Sequence, residues 1–114
     1  MNKDYKISIL LDYYGQLLTD KQFDMLNYYY NEDLSLSEIA ENEGISRQGV
    51  YDAVKRAEEQ LLSFEEKIGY FKASVKSEEF IADIQKTVNN AKSGKIDSNK
   101  ALDDILSAIK KYEN

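Results

Sequence analysis

Seven side chains in one short stretch are of the types that contact nucleic acids: Ser46, Arg47, Gln48, Tyr51, Asp52, Lys55 and Arg56. Arginine and lysine neutralise phosphates, while glutamine, aspartate and tyrosine can reach base edges. On that reading Arg47, Lys55 and Arg56 take phosphates, and Gln48 and Tyr51 touch bases. The competing reading is a solvated helix face held by i,i+4 pairs, Asp52 with Arg56 and Lys55 with Glu59. Other chemistry has little to work with. The chain contains no cysteine and no histidine, so disulfides, thiolate chemistry, the usual zinc ligands and triads built on either residue are excluded. It has no phosphate-binding glycine loop. The acidic pairs Glu58-Glu59, Glu65-Glu66 and Asp103-Asp104 are sequence neighbours, which point apart on a helix and read as solvated surface. Neither an enzyme nor a metal or cofactor is expected.

The elements that must hold those seven residues lie in LSLSEIAENEGISRQGVYDAVKRAEEQL, residues 34–61. Ser35 is an N-cap with Glu38 three residues on, the arrangement of a capping box. Ile39 and Ala40 form the buried face of a short helix. Gly44 follows, where a left-handed backbone costs least without a side chain. Ile45 is expected to plug the turn from inside, and Ser46 to cap a longer helix beginning at Arg47. Ala40 supplies the small side chain that two crossing helices require, and Ile39, Ile45, Val50 and Val54 are the expected inward residues. A short helix, a glycine turn and a second helix make a helix-turn-helix unit, whose second helix can enter a major groove.

The stretch LLTDKQFDMLNYYYNEDLSLSEIAENEGISRQGVYDAVKRAEEQLL, residues 17–62, resembles the fourth conserved region of bacterial sigma factors. It is more similar still to the YlxM family, small helix-turn-helix proteins of Gram-positive bacteria. Their gene typically lies beside those of the signal recognition particle GTPase and its receptor. The resemblance covers most of the chain and implies an all-α, sigma-region-like helical fold. It also implies a role in the signal recognition particle pathway, which rests on gene neighbourhood alone. The partners it implies are DNA or RNA and components of that particle. A protein adaptor without DNA binding, acting on the particle's GTPase or RNA, is the alternative.

The chain has 114 residues, of which 42% are hydrophobic and 32% charged, as suits a soluble helical protein with a modest core. Proline is absent, so long helices are permitted. No run approaches the ~18 apolar residues of a membrane span, and MNKDYKIS lacks a signal-peptide core; a cytoplasmic protein without membrane contact is expected. The formal charge is −6. Residues 1–63 carry six Lys or Arg against twelve Asp or Glu, and the rest of the chain carries nine of each sign. The candidate nucleic-acid half is therefore the acidic half. Autonomous binders are usually basic, so this balance opposes tight binding by a lone monomer.

Two regions are expected: a helix-turn-helix domain over residues 1–63 and a helical dimerisation extension over 64–114, forming one compact unit. Residues 3–18 read as a first helix with Ile7, Leu10, Leu11, Tyr14, Leu17 and Leu18 on its apolar face. Gly15 there permits a close helix contact. Thr19 with Gln22 is a second capping box, opening a helix with Phe23, Leu26, Tyr29 and Tyr30 inward. Nine tyrosines crowd the sequence. Tyr13, Tyr14, Tyr28, Tyr29 and Tyr30 read as packing rings rather than a base-stacking platform, since no basic residue interleaves with them. From Arg47 onward Val50, Val54, Ala57, Leu61, Phe64, Ile68, Phe71 and Val75 follow alternating steps of four and three, a heptad seam. A helix continuous over 47–72 is expected, with Gly69 its weak point. Two tail helices follow, 77–92 capped by Ser77, and a last one opened by Asp97 or Ser98 after a turn at Gly94. Leu61, Phe64, Ile68, Phe71, Ile84 and Val88 are the expected contacts of a two-fold homodimer.

Overall fold

Helix starts follow the short polar side chains marked in the sequence. The computed structural model describes residues 3–114, and among these are six α-helices and no strand. They are α1 Tyr5–Tyr14, α2 Asp20–Leu26, α3 Leu36–Glu43, α4 Arg47–Ile68, α5 Tyr70–Lys92 and α6 Ser98–Glu113. The protein is thus an all-α helix-turn-helix bundle. The Asp4 carboxylate caps α1 by accepting from the Lys6 amide at 2.9 Å. Thr19 and Gln22 form a reciprocal capping box on α2, and Ser35 and Glu38 another on α3. Asp97, rather than Ser98, caps α6.

The chain forms two units, residues 1–71 and 72–114. In the first, Leu10 of α1, Leu26 of α2, Ile39 of α3 and Val50, Val54 and Leu61 of α4 expose no surface. Each such side chain contributes about 1.5–3 kcal/mol by leaving water. Gly15 is needed for this packing. A Cβ there would lie 3.0 Å from the Phe23 ring, so its absence lets α2 approach α1. The first helix is shorter than its apolar pattern suggested. It ends at Tyr14 and passes into a 3₁₀ turn at Gly15–Leu17. That turn advances faster per residue, which carries Leu17 off the buried face to 56% exposure.

Gly69 does end the long helix, with φ of 72° and its N–H bonded to the Glu65 carbonyl. At 22 residues α4 is roughly 33 Å long. A new helix then starts at once, seven residues before the expected cap Ser77. Its first amides already have acceptors: the Tyr14 hydroxyl takes the Tyr70 N–H at 3.0 Å and the Glu65 carboxylate takes the Phe71 N–H at 2.9 Å. Tyr14 in turn donates to Glu65 at 2.7 Å. A distant tyrosine thus does what a local serine was expected to do. The Tyr13 and Tyr70 rings meet edge-to-face at 4.7 Å beside this junction.

The second unit pairs the remainder of α5 with α6. Phe80 and Tyr112 stack at 4.6 Å, with the Lys76 ammonium 5.1 Å from the Tyr112 ring. Ala101 is its one buried hydrophobic side chain among the described residues.

Candidate nucleic-acid interface

Two caps and a glycine set the angle between α3 and α4. Gly44 adopts φ of 68° and ψ of 31°, the left-handed conformation that the sequence required of it. The Ser46 hydroxyl accepts the Gly49 amide at 2.9 Å and starts α4. Ser46 is thus committed to capping. Gly49 leaves it room, because a Cβ at that position would come within 3.2 Å of the hydroxyl. Beneath the elbow Ile39, Ala40, Val50 and Val54 are buried as expected. Ile45 is not the plug that the pattern suggested. Its amide bonds the Ala40 carbonyl at 3.2 Å, and its side chain is 40% exposed. The left-handed residue before it turns the chain outward, so Ile45 lines the rim of a cleft between α2 and α4.

The polar stripe of α4 faces solvent. Arg47, Gln48, Asp52 and Arg56 are exposed, and Tyr51 and Lys55 are half-buried. The pairs across this face differ from those expected. Gln48 donates to Asp52 at 3.1 Å, and Lys55 lies 3.9 Å from Glu58 and 5.9 Å from the Tyr51 ring. The Arg47 and Arg56 side chains have no hydrogen bond or ion pair among the described residues. Both guanidiniums are therefore available to an outside anion. An open cleft beside Arg56 holds about 400 Å³, with Lys21 and Met25 on the α2 side and Asp52, Ala53 and Arg56 on the α4 side. Lys21 was missed in the sequence because only packing brings α2 alongside α4.

Behind the stripe the Tyr30 hydroxyl donates to Glu58 at 3.3 Å and accepts from the Asp4 amide at 3.5 Å. Burial pushes the Tyr30 phenol up to about 12, helped by the Glu58 charge and opposed by the Asp4 amide. Burial also raises the Glu58 carboxyl, while Lys55 and Tyr30 pull it down. Tyr30 has a consequence for stability. Below pH 10 its hydroxyl is protonated in both folded and unfolded chains. Between 10.0 and about 12 the unfolded chain loses the proton while the folded chain keeps it, so rising pH favours unfolding. The melting temperature should fall across that window, and Tyr30→Phe should flatten part of the fall; Tyr14 and Tyr28, whose phenols are also raised, contribute in the same direction. Circular dichroism melts at stepped pH check this, and an identical slope in the variant refutes it.

Four of the six expected dimer contacts, Leu61, Phe64, Ile68 and Phe71, belong to the first unit, and Ile84 and Val88 belong to the second. Leu61 is fully buried in the first unit's own core, so it is not free to meet a second copy. Phe64 and Phe71 pack partly against that same core. Ile68 is 56% exposed, Ile84 is half-buried and Val88 is 37% exposed. The expected tyrosine packing holds for Tyr14 and Tyr29, which are buried; Tyr28 and Tyr30 pack partly against the core.

A glycine elbow between two capped helices, with an apolar underside and a polar outer face, defines a helix-turn-helix protein. Residues 1–105 match the model of the UPF0122 family, described as "Putative helix-turn-helix protein, YlxM / p13 like". A UPF0122 protein of Clostridium perfringens strain 13 is 44% identical over 112 residues, covering 95% of this chain and all of that protein. A UPF0122 protein of Acetivibrio thermocellus is 56% identical over 69 residues, 60% of this chain and 59% of that one. The chain belongs to the UPF0122 family of YlxM-like helix-turn-helix proteins. No helix among the described residues is long and apolar enough to cross a membrane.

Proposed function

We propose that the protein is a nucleic-acid-binding regulator, without catalytic activity, that reads its target with the first turns of α4 and acts with the signal recognition particle. What carries the reading is the outward stripe from Arg47 to Arg56, with two guanidiniums that no described residue pairs. Gln48 and Tyr51 stand among them where base edges would lie. The link to the particle rests on the resemblance to the YlxM family. A photoreactive residue in place of Tyr51, irradiated in cell extract, tests both parts. Adducts to DNA or to the particle's RNA support the reading; adducts to protein alone sink it.

A second reading, a protein adaptor of the particle's GTPase, is favoured by charge. Residues 1–71 carry seven Lys or Arg against fourteen Asp or Glu, an unfavourable balance for a phosphate polymer.

The second unit is the dimerisation element in this proposal. Its 43 residues hide Ala101 alone among hydrophobic side chains and leave Ile81, Leu102 and Leu106 between 51% and 60% exposed. That length is close to the ~40 residues below which a fold usually needs a disulfide, a metal or a partner. Cysteine is absent and no metal-ligand cluster occurs among the described residues. Eight lysines against seven acids in this unit leave it close to neutral, so self-association meets little repulsion. Light scattering during gel filtration at micromolar concentration should give twice the 13.1 kDa chain mass, and Leu106→Glu should return it toward one chain. A monomer for the unmodified protein refutes the dimer.

A further inference from the structure

We infer that Lys21, on α2 and outside the helix-turn-helix, forms with Arg56 a clamp for one phosphate strand of the bound nucleic acid. The inference rests on the nucleic-acid reading of α4 and extends it to a second element. Lys21 and Arg56 line the same cleft from opposite helices, and neither has a hydrogen-bond or ion-pair partner among the described residues. The other cations of the first unit are mostly engaged. Lys3 pairs with Asp33, Lys6 lies over the Phe71 ring and Lys55 sits by Glu58. Of the four left, Lys21, Arg47, Arg56 and Lys67, two line this cleft and Arg47 begins the helix that forms its wall. An acidic protein segment would also suit two cations. A phosphate strand is favoured because the cleft runs beside the exposed stripe of α4.

Acidic groups set the limits of the clamp. On its other side Lys21 lines a hollow shared with Asp20, Asp24, Tyr28 and Glu43. Those carboxylates repel a phosphate, so a strand passing Lys21 is confined to the α4 side. Within the cleft Asp52 repels it too, while accepting from Gln48, which leaves the Lys21–Arg56 rim as the seat.

The test is titration of full-length protein into a short mixed-sequence DNA duplex, and separately an RNA hairpin, at several salt concentrations. Replacing Lys21 by alanine removes one released counterion. Between about 50 and about 200 mM salt the Lys21→Ala protein should then lose roughly three- to fourfold less affinity than the unmodified chain on duplex DNA. It should bind every sequence more weakly by the same factor, and Lys21→Arg should restore binding. Lys21 is exposed and takes no part in the α2 capping box, so the variant should melt as the parent does. If the parent binds, Arg47→Ala weakens it and Lys21→Ala changes neither affinity nor salt slope, the clamp is overturned alone. Binding of an acidic peptide through Lys21 would then be its replacement. If the parent binds neither duplex nor hairpin, the α4 reading falls and the clamp with it.

Discussion

Replacing Leu61 by alanine should lower the unfolding free energy by about 2–5 kcal/mol. Leu61 has no exposed surface and lies on α4 one turn beyond Ala57, itself fully buried. Truncation removes the transfer energy of the lost carbons and leaves a cavity in the first unit's core. Urea unfolding followed by circular dichroism should show a lower midpoint. The loss should be the same at low and high protein concentration, because Leu61 acts inside one chain. A loss under about 1 kcal/mol, or one that disappears on dilution, would return Leu61 to a surface between copies.

The double variant Arg47→Ala with Gln48→Ala should weaken nucleic-acid binding by about 1–3 kcal/mol for each base contact removed. Both residues are exposed and neither caps a helix, so folding should be unchanged. The effect should split unequally. Arg47 has no partner among the described residues, whereas Gln48 gives its amide to Asp52 at 3.1 Å and must surrender that bond to reach a base. Gln48→Ala alone should therefore cost less than Arg47→Ala alone. Electrophoretic shifts or anisotropy with target DNA, or with the particle's RNA, measure both. Equal binding by double variant and parent would leave α4 a packing helix and favour the protein adaptor.

Leu61 and Ile45 show where apolar pattern stops being informative. The heptad seam along α4 correctly marks Val50, Val54, Ala57 and Leu61 as one stripe, but it does not say which body covers the stripe. The chain's own α1, α2 and α3 pack against α4 and bury its first half, and the seam runs on to Ile68 and Val75, which are 56% and 38% exposed. Ile45 fits the inward spacing, yet the turn's backbone geometry decides its direction, and spacing counted through a left-handed residue loses its phase. The caps were legible for the opposite reason. Ser35 with Glu38, Thr19 with Gln22, and Ser46 each act over three residues, and nothing distant competes for those amides. At Tyr70 a distant group does supply the acceptor, and the expected start at Ser77 was seven residues late.

By itself the sequence determined the helical class, the glycine elbow at Gly44, the caps on α2, α3 and α4, and the identity of the outward stripe from Arg47 to Arg56. All of these are settled by bonds and periodicities spanning a few residues. The tertiary structure decided that Leu61 is interior, that Lys21 stands across a cleft from Arg56, and that Tyr14 and Glu65 begin α5. Those facts depend on which segments meet in space. A hydroxyl fifty-six residues away satisfies an amide as well as a near one does, and local order along the chain does not record such a meeting.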